Sequence, residues 1–253
     1  MRPGLRRAVR WWAKVPRPRP AITVLGYHRV DDVDDELAVR PANFKRQAAL
    51  LDANREQCPI VALEPGLREL SVGQPARRSV TVTFDDAWAD NHTHALAAIV
   101  EHRLPTTLFV PSKLLGTPGY LAPAQLVEMA AAGVEIGGHT RTHVDLRACS
   151  DDELESEVRG GKEDLEDLLG HTVLTFAYPS GLYDGRVRRA VIDAGYAVAV
   201  STHRGSARSG SDWFAVPRHF VEDDIDDATF AATVLGGMDV VGLLERARGL
   251  ARR

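Results

Sequence analysis

Cysteine is scarce in this chain. Only Cys58 and Cys149 occur among 253 residues, without CxxC spacing, so nothing indicates a disulfide framework or a cysteine-built zinc site, and both read as buried, inert thiols. No apolar run approaches the roughly 20 residues that span a bilayer, and the first residues show no apolar core of a secretory signal. Neither sign of charge dominates. The 31 Lys and Arg against 35 Asp and Glu leave a formal net charge of -4, which argues against a nucleic-acid partner, because polyanion binders carry a basic excess. Aromatic residues are also few, at 6%. What is present is ordinary for a soluble globular protein: 44% hydrophobic and 26% charged residues, in a length that can bury a proper core.

Residues 1–19 depart from this average. Arg2, Arg6, Arg7, Arg10, Lys14, Arg17 and Arg19 have no acid among them, Trp11 and Trp12 sit in their midst, and prolines close the stretch. The segment reads as a basic tail. It is expected either to be solvated and disordered or to lie on a membrane surface, with arginines on anionic lipid and tryptophans at the interface. Residues 20–253 show no repeat or linker and read as one domain. With no signal recognised, the expected location is the cytoplasm or the cytoplasmic face of the membrane.

After Pro20, strand and helix patterns alternate. Apolar or β-branched runs predict strands at 21–26, 59–63, 79–84, 106–110, 134–136, 173–177 and 197–200, with Gly137-Gly138 breaking the fifth. Helices are predicted over 41–54, 87–102, 124–132, 150–170 (with a capping box at Ser150 and Glu153), 186–194, 227–235 and 240–251. The acidic run 222–227 reads as a solvated helix start. Repeated strand–helix units predict a parallel sheet with helices outside it, either open or closed. Polar residues recur just after the strands, at His28, Asp85-Asp86, His139/His143 and Tyr178-Pro179. This favours a barrel, in which such loops gather at one face.

Asp85 and Asp86 end the apolar run 79–84. Two adjacent acids there are costly unless they serve an ion, a hydrogen-bond network or catalysis, although a helix cap is the plainer use. Further on, Glu135-Ile-Gly-Gly-His139-Thr-Arg-Thr-His143 presents two histidines four apart, a spacing that bridges a metal from a turn or tight loop. Two histidines with one carboxylate form a facial triad that leaves positions open for water and substrate.

Thr83-Phe84-Asp85-Asp86 resembles the first motif of the polysaccharide deacetylases, the NodB-homology family (carbohydrate esterase family 4). His139-Thr-Arg-Thr-His143 matches that family's second motif, and Phe176-Ala-Tyr-Pro-Ser-Gly181 is similar to its third. Similarity extends from Leu25-Gly-Tyr-His-Arg-Val30 to Val216-Pro-Arg218. This form is most similar to bacterial exopolysaccharide deacetylases, including those acting on poly-N-acetylglucosamine. The resemblance implies a distorted (β/α) barrel with fewer than eight units. It implies one divalent metal on Asp86, His139 and His143, zinc first, with cobalt, nickel or iron as alternatives. Asp85 would be the general base. Tyr178, Pro179 and Ser180 would form the substrate and oxyanion loop, with the Ser180 backbone N–H as donor.

The chain departs from the family pattern at two helpers. The late Leu-x-His acid is not evident and His219 is poorly placed for it, so His28 is the candidate general acid. Ala177 stands where the family carries an arginine that orients the catalytic aspartate, and Arg218 is the expected substitute. The expected activity is removal of N-acetyl groups from hexosamines of a glycan or glycan precursor. The alternatives are deacylation of a lipid-linked sugar or small metabolite, at an amide or O-acetyl ester, and non-catalytic glycan binding. Few aromatic platforms favour a short or lipid-linked substrate over a long polymer groove.

Overall fold

The computed structural model describes residues 3–14, 20–73 and 77–247. Helix α1 (Pro3–Ala13) leads into β1 (Ala21–Tyr27), α2 (Pro41–Ala53), α3 (Leu63–Ser71) and β2 (Ser79–Phe84). There follow α4 (Leu96–Glu101), β3 (Thr106–Val110), α5 (Pro123–Ala131), β4 (Glu135–Gly138), α6 (Asp151–Glu155), α7 (Gly161–Leu169), β5 (Thr175–Ala177), α8 (Gly185–Asp193) and β6 (Val198–Val200). Short strands β7 (Ala207–Arg208) and β8 (His219–Phe220) precede α9 (Asp227–Val234) and α10 (Asp239–Ala247).

Strands β1 to β6 pair in sequence order, all in parallel. Residues 216–220 bridge the two ends of this sheet. Val216 exchanges hydrogen bonds with β6 through Ala199 O and Ser201 N, while His219 and Phe220 lie in parallel register with Leu25 and Gly26 of β1. The result is the expected distorted barrel with fewer than eight units. One apolar cluster joins Ile22 and Val24 of β1 to Phe109, Val198 and Val200, and Leu63, Leu67 and Leu70 of α3 pack against it. The larger cluster lies between the strands and the outer helices, with Tyr27, Phe44, Phe84 and Phe176 in it. Cys58 is buried there, which pushes its thiol up to about 11.

The basic segment is not a free tail where it is described. Pro3–Ala13 is helical, Val9 is fully buried against Ala232, Met238 and Val241, and Leu5 and Ala13 pack beside it. The acidic run 222–227 receives it: Arg6 binds Asp224 and Asp226, and Arg10 binds Asp226. The charge block, expected to be solvated or on a membrane surface, and the acidic helix start, expected to be solvated, are partners of one another. Arg7, Trp11 and Lys14 face outward.

Three local expectations also change. The run 59–63 makes only a single bridge, Ile60 to Val80, before α3 begins. Gly137 and Gly138 remain inside β4, because a Cβ on either would collide with Phe109 or Tyr196. The helix after Asp86 starts beyond Ala87, whose φ of 57° is left-handed, and its first turns are π-helical over Asn91–Ala95.

A buried ionic cluster ties α10 to the barrel. Asp239 accepts hydrogen bonds from Ser206 Oγ at 2.7 Å, Arg208 Nη2 at 2.8 Å and Arg78 Nη2 at 3.3 Å. Burial opposes its ionisation, but His219, Ser206 and Arg78 outweigh burial and hold the carboxyl well below the usual carboxylate range. A carboxyl depressed in this way stabilises the fold fully above its unfolded pKa of about 3.9 and loses that contribution as pH falls towards the folded value. Asp239→Asn is therefore expected to lower the melting temperature at neutral pH and to flatten its decline below pH about 4. An equally steep acid decline in the variant would contradict this.

Candidate metal and catalytic site

The loops leaving β1, β2, β4 and β5 bring the predicted polar residues to one place. Asp86 Oδ1 lies 3.3 Å from His139 Nε2 and 3.3 Å from His143 Nε2. One ligand atom from each of the three residues falls within 4.8 Å of the others. His139 Nδ1 is 2.7 Å from the Ala177 carbonyl oxygen. That oxygen can only accept, so Nδ1 carries a proton, and in the neutral ring Nε2 is bare for a metal.

Asp86 Oδ1 is buried yet satisfied by no hydrogen bond among the described residues, a costly state unless another group completes it. Its second oxygen accepts from Trp88 Nε1 at 3.2 Å. Burial raises the Asp86 pKa, but the neighbouring His139, with His28 and His143, outweighs burial and holds it well below the carboxylate range. Burial likewise opposes a charged His139, yet Asp86 and Asp85 raise its pKa. Burial and the adjacent His139 lower that of His143. One carboxylate and two imidazoles make a donor set that suits a divalent ion.

Asp85 turns the other way. Its oxygens accept from Arg218 Nη1 at 2.6 Å and Nη2 at 2.7 Å. Arg218 is fully buried and also donates to Ser201 O and Thr83 Oγ1. Its guanidinium stands over the rings of Phe220 at 4.8 Å and Phe109 at 5.7 Å. Burial disfavours the Asp85 carboxylate, but the charge and hydrogen bonds of Arg218 outweigh it, and the carboxyl is held below its ordinary value. His28 Nε2 lies 3.9 Å from Asp85 Oδ2, with its ring stacked on Phe220 at 5.1 Å.

The third loop contributes backbone. Tyr178 is buried, and its hydroxyl donates to Phe214 O at 3.0 Å. Its N–H is taken by Val200 O, and Pro179 has none to give. The side chain of Tyr178 and the ring of Pro179 therefore frame the loop. Gly181 N and Leu182 N close turns on Tyr178 O and Pro179 O, whereas Ser180 N–H makes no hydrogen bond among the described residues.

Backbone strain gathers in these loops. Asp86, Ala87, Thr140, His143 and Ser180 all have positive φ, between 52° and 73°, and among the described non-glycine residues only Arg103 shares this elsewhere. Such conformations cost about 1–3 kcal/mol each and persist where the surroundings enforce them. Sequence reading missed the enforcing residues. Thr140 Oγ1 accepts from His143 N, while Glu157 accepts from the Arg141 and Thr142 amides and the Thr142 hydroxyl. Arg141 pairs with Asp164 through two hydrogen bonds. Glu157 lies in a π-helical turn, Ser156–Gly160, between α6 and α7. Nothing in the spacing of 150–170 marks that turn.

Comparison with known proteins agrees with this geometry. The polysaccharide deacetylase family model matches residues 73–199. YxkH of Bacillus subtilis is 26% identical over 223 residues, covering 88% of this chain and 79% of that protein. A chitooligosaccharide deacetylase of Sinorhizobium fredii is 38% identical over 81 residues, covering 32% of this chain and 36% of the relative. The Streptococcus pyogenes deacetylase PplD, solved in complex with acetate, superposes with a TM-score of 0.79 at 25% identity over 85% of this chain and 99% of its own. With its motifs on one barrel face and its family model spanning the loops of Asp85-Asp86 and His139/His143, the chain belongs to the polysaccharide deacetylase family.

Proposed function

We propose that this chain is a metal-dependent N-deacetylase acting on hexosamine residues of a glycan or glycan precursor. The observation that carries the reading is the division between two adjacent aspartates: Asp86 faces the histidine pair, and Asp85 faces Arg218. Asp86, His139 and His143 would hold zinc or a related divalent ion. Such an ion supplies Lewis-acid polarisation of the acetamide carbonyl and makes the attacking water more acidic.

The chain's own groups then move the protons. Asp85, kept ionised by Arg218, accepts the proton of the attacking water as the C–O bond forms. The Ser180 N–H donates to the carbonyl oxygen as it gains negative charge. When the C–N bond breaks, the departing amine takes a proton from His28, and the products are acetate and a free amine. Similarity to proteins named chitooligosaccharide deacetylase and peptidoglycan-N-acetylglucosamine deacetylase supports an N-acetylhexosamine substrate.

The test is acetate release from chitooligosaccharides, poly-N-acetylglucosamine and peptidoglycan fragments, before and after chelation. Acetate is expected from at least one, abolished by chelation and restored by zinc or cobalt. A chain that binds zinc and releases acetate from none of them would instead be a binding protein.

A further inference from the structure

Trp88 stands two residues after Asp86, in a sandwich. Its indole stacks on Tyr120 with ring centroids 4.6 Å apart and planes 18° from parallel. The Arg29 guanidinium stands 4.8 Å from the indole centroid. Arg29 is itself fixed by Asp90 at 2.9 Å and by Asp31 at 3.2 Å. The backbone repeats the lock: Trp88 and Tyr120 form an antiparallel bridge, Ala89 N donates to Gly119 O and Leu121 N to Ala87 O. Gly119, at φ 91°, brings its backbone to the indole, where an added Cβ would sit 3.5 Å from the ring. The indole therefore has little freedom, and its only polar atom, Nε1, donates to Asp86 Oδ2 at 3.2 Å.

This bond distinguishes the two oxygens of Asp86. Oδ2 is occupied by Trp88, while Oδ1 faces both histidine Nε2 atoms and has no hydrogen bond among the described residues. We propose that Trp88 is a positioning residue of the metal centre: its N–H fixes Asp86 so that Oδ1 alone is presented between His139 and His143, and this sets the affinity for the divalent ion. The inference rests on the metal reading given above.

The test uses the full chain with zinc alone, titrated against a chromophoric chelator, in the wild type and in Trp88→Phe and Tyr120→Leu. Phenylalanine keeps an aromatic ring between Arg29 and Tyr120 and removes only the donor. Trp88→Phe is expected to weaken zinc binding by about 10–100-fold, the range for loss of a hydrogen bond to a metal ligand. The melting temperature of the zinc-free chain is expected to stay close to wild type. Tyr120→Leu, which removes the stacking partner and leaves the donor, is expected to weaken zinc binding less. An unchanged zinc affinity in Trp88→Phe overturns the inference and leaves the metal reading standing, as does a larger loss in Tyr120→Leu, which would assign the effect to packing. A wild-type chain that does not bind zinc overturns both.

Discussion

Asp85→Asn is expected to lower acetate release by about 10²–10⁴-fold, the usual contribution of a general base, while zinc remains bound. The expectation follows from where Asp85 points. Both of its oxygens are turned to Arg218 and away from the histidines, so its loss removes no metal ligand. Asparagine keeps the shape and one acceptor oxygen but cannot take a proton from water. The separation of effects is the informative part. A proportional loss of zinc affinity would make Asp85 a ligand, and undiminished turnover would remove it from the mechanism. Acetate release at saturating zinc and a zinc titration on the same preparation decide between these.

Arg218→Met is expected to destabilise the fold by about 3–5 kcal/mol, the cost of stranding a buried charge without its partner. For a chain of this size that is a fall in melting temperature of roughly 6–20 °C. Arg218 is among the largest fully buried side chains, and Asp85 is buried with it. Truncating either residue leaves the other charge in a low-dielectric interior. The double variant Asp85→Asn/Arg218→Met removes both charges and is expected to recover much of the lost stability while remaining inactive. If the two single losses simply add in the double variant, the pair is not coupled and the positioning role fails. Activity gives a second readout. With Arg218 gone, burial is left to raise the Asp85 pKa, so the acid limb of the pH–rate profile should move to higher pH. A merely structural arginine would lower activity without moving that limb.

The parts of the site that lay in one short stretch were legible in the sequence. Asp85-Asp86 at a strand end and His139/His143 four apart needed only local spacing, and the β-branched runs at 79–84 and 106–110 became strands with the predicted bounds. Long-range partners were reachable only through the family pattern, since nothing local to Arg218 marks it as the mate of Asp85, 133 residues earlier. Nothing in the sequence singles out Trp88, because its meaning depends on a hydrogen bond to Asp86. Glycine misled at 137–138, where it signals close packing against Phe109 and Tyr196 and not a break. Charge misled at the N-terminus. A basic block with no acid in its own neighbourhood reads as solvated, yet its acids lie at Asp224 and Asp226, more than 200 positions away.

The segment 216–220 has a consequence for the order in which the protein can be made. It carries Arg218, and it also joins the last parallel strand to the first. A nascent chain emerging from the ribosome presents Asp85 long before it presents Arg218. Until then the carboxylate has no internal cation, and burying it would cost several kcal/mol. Closing the sheet over Asp85 is therefore disfavoured until residue 218 has been synthesised. Ring closure and burial of the Asp85–Arg218 pair then become a single late event, and a ribosome-bound chain stalled before residue 218 would hold Asp86, His139 and His143 with Asp85 still unpaired.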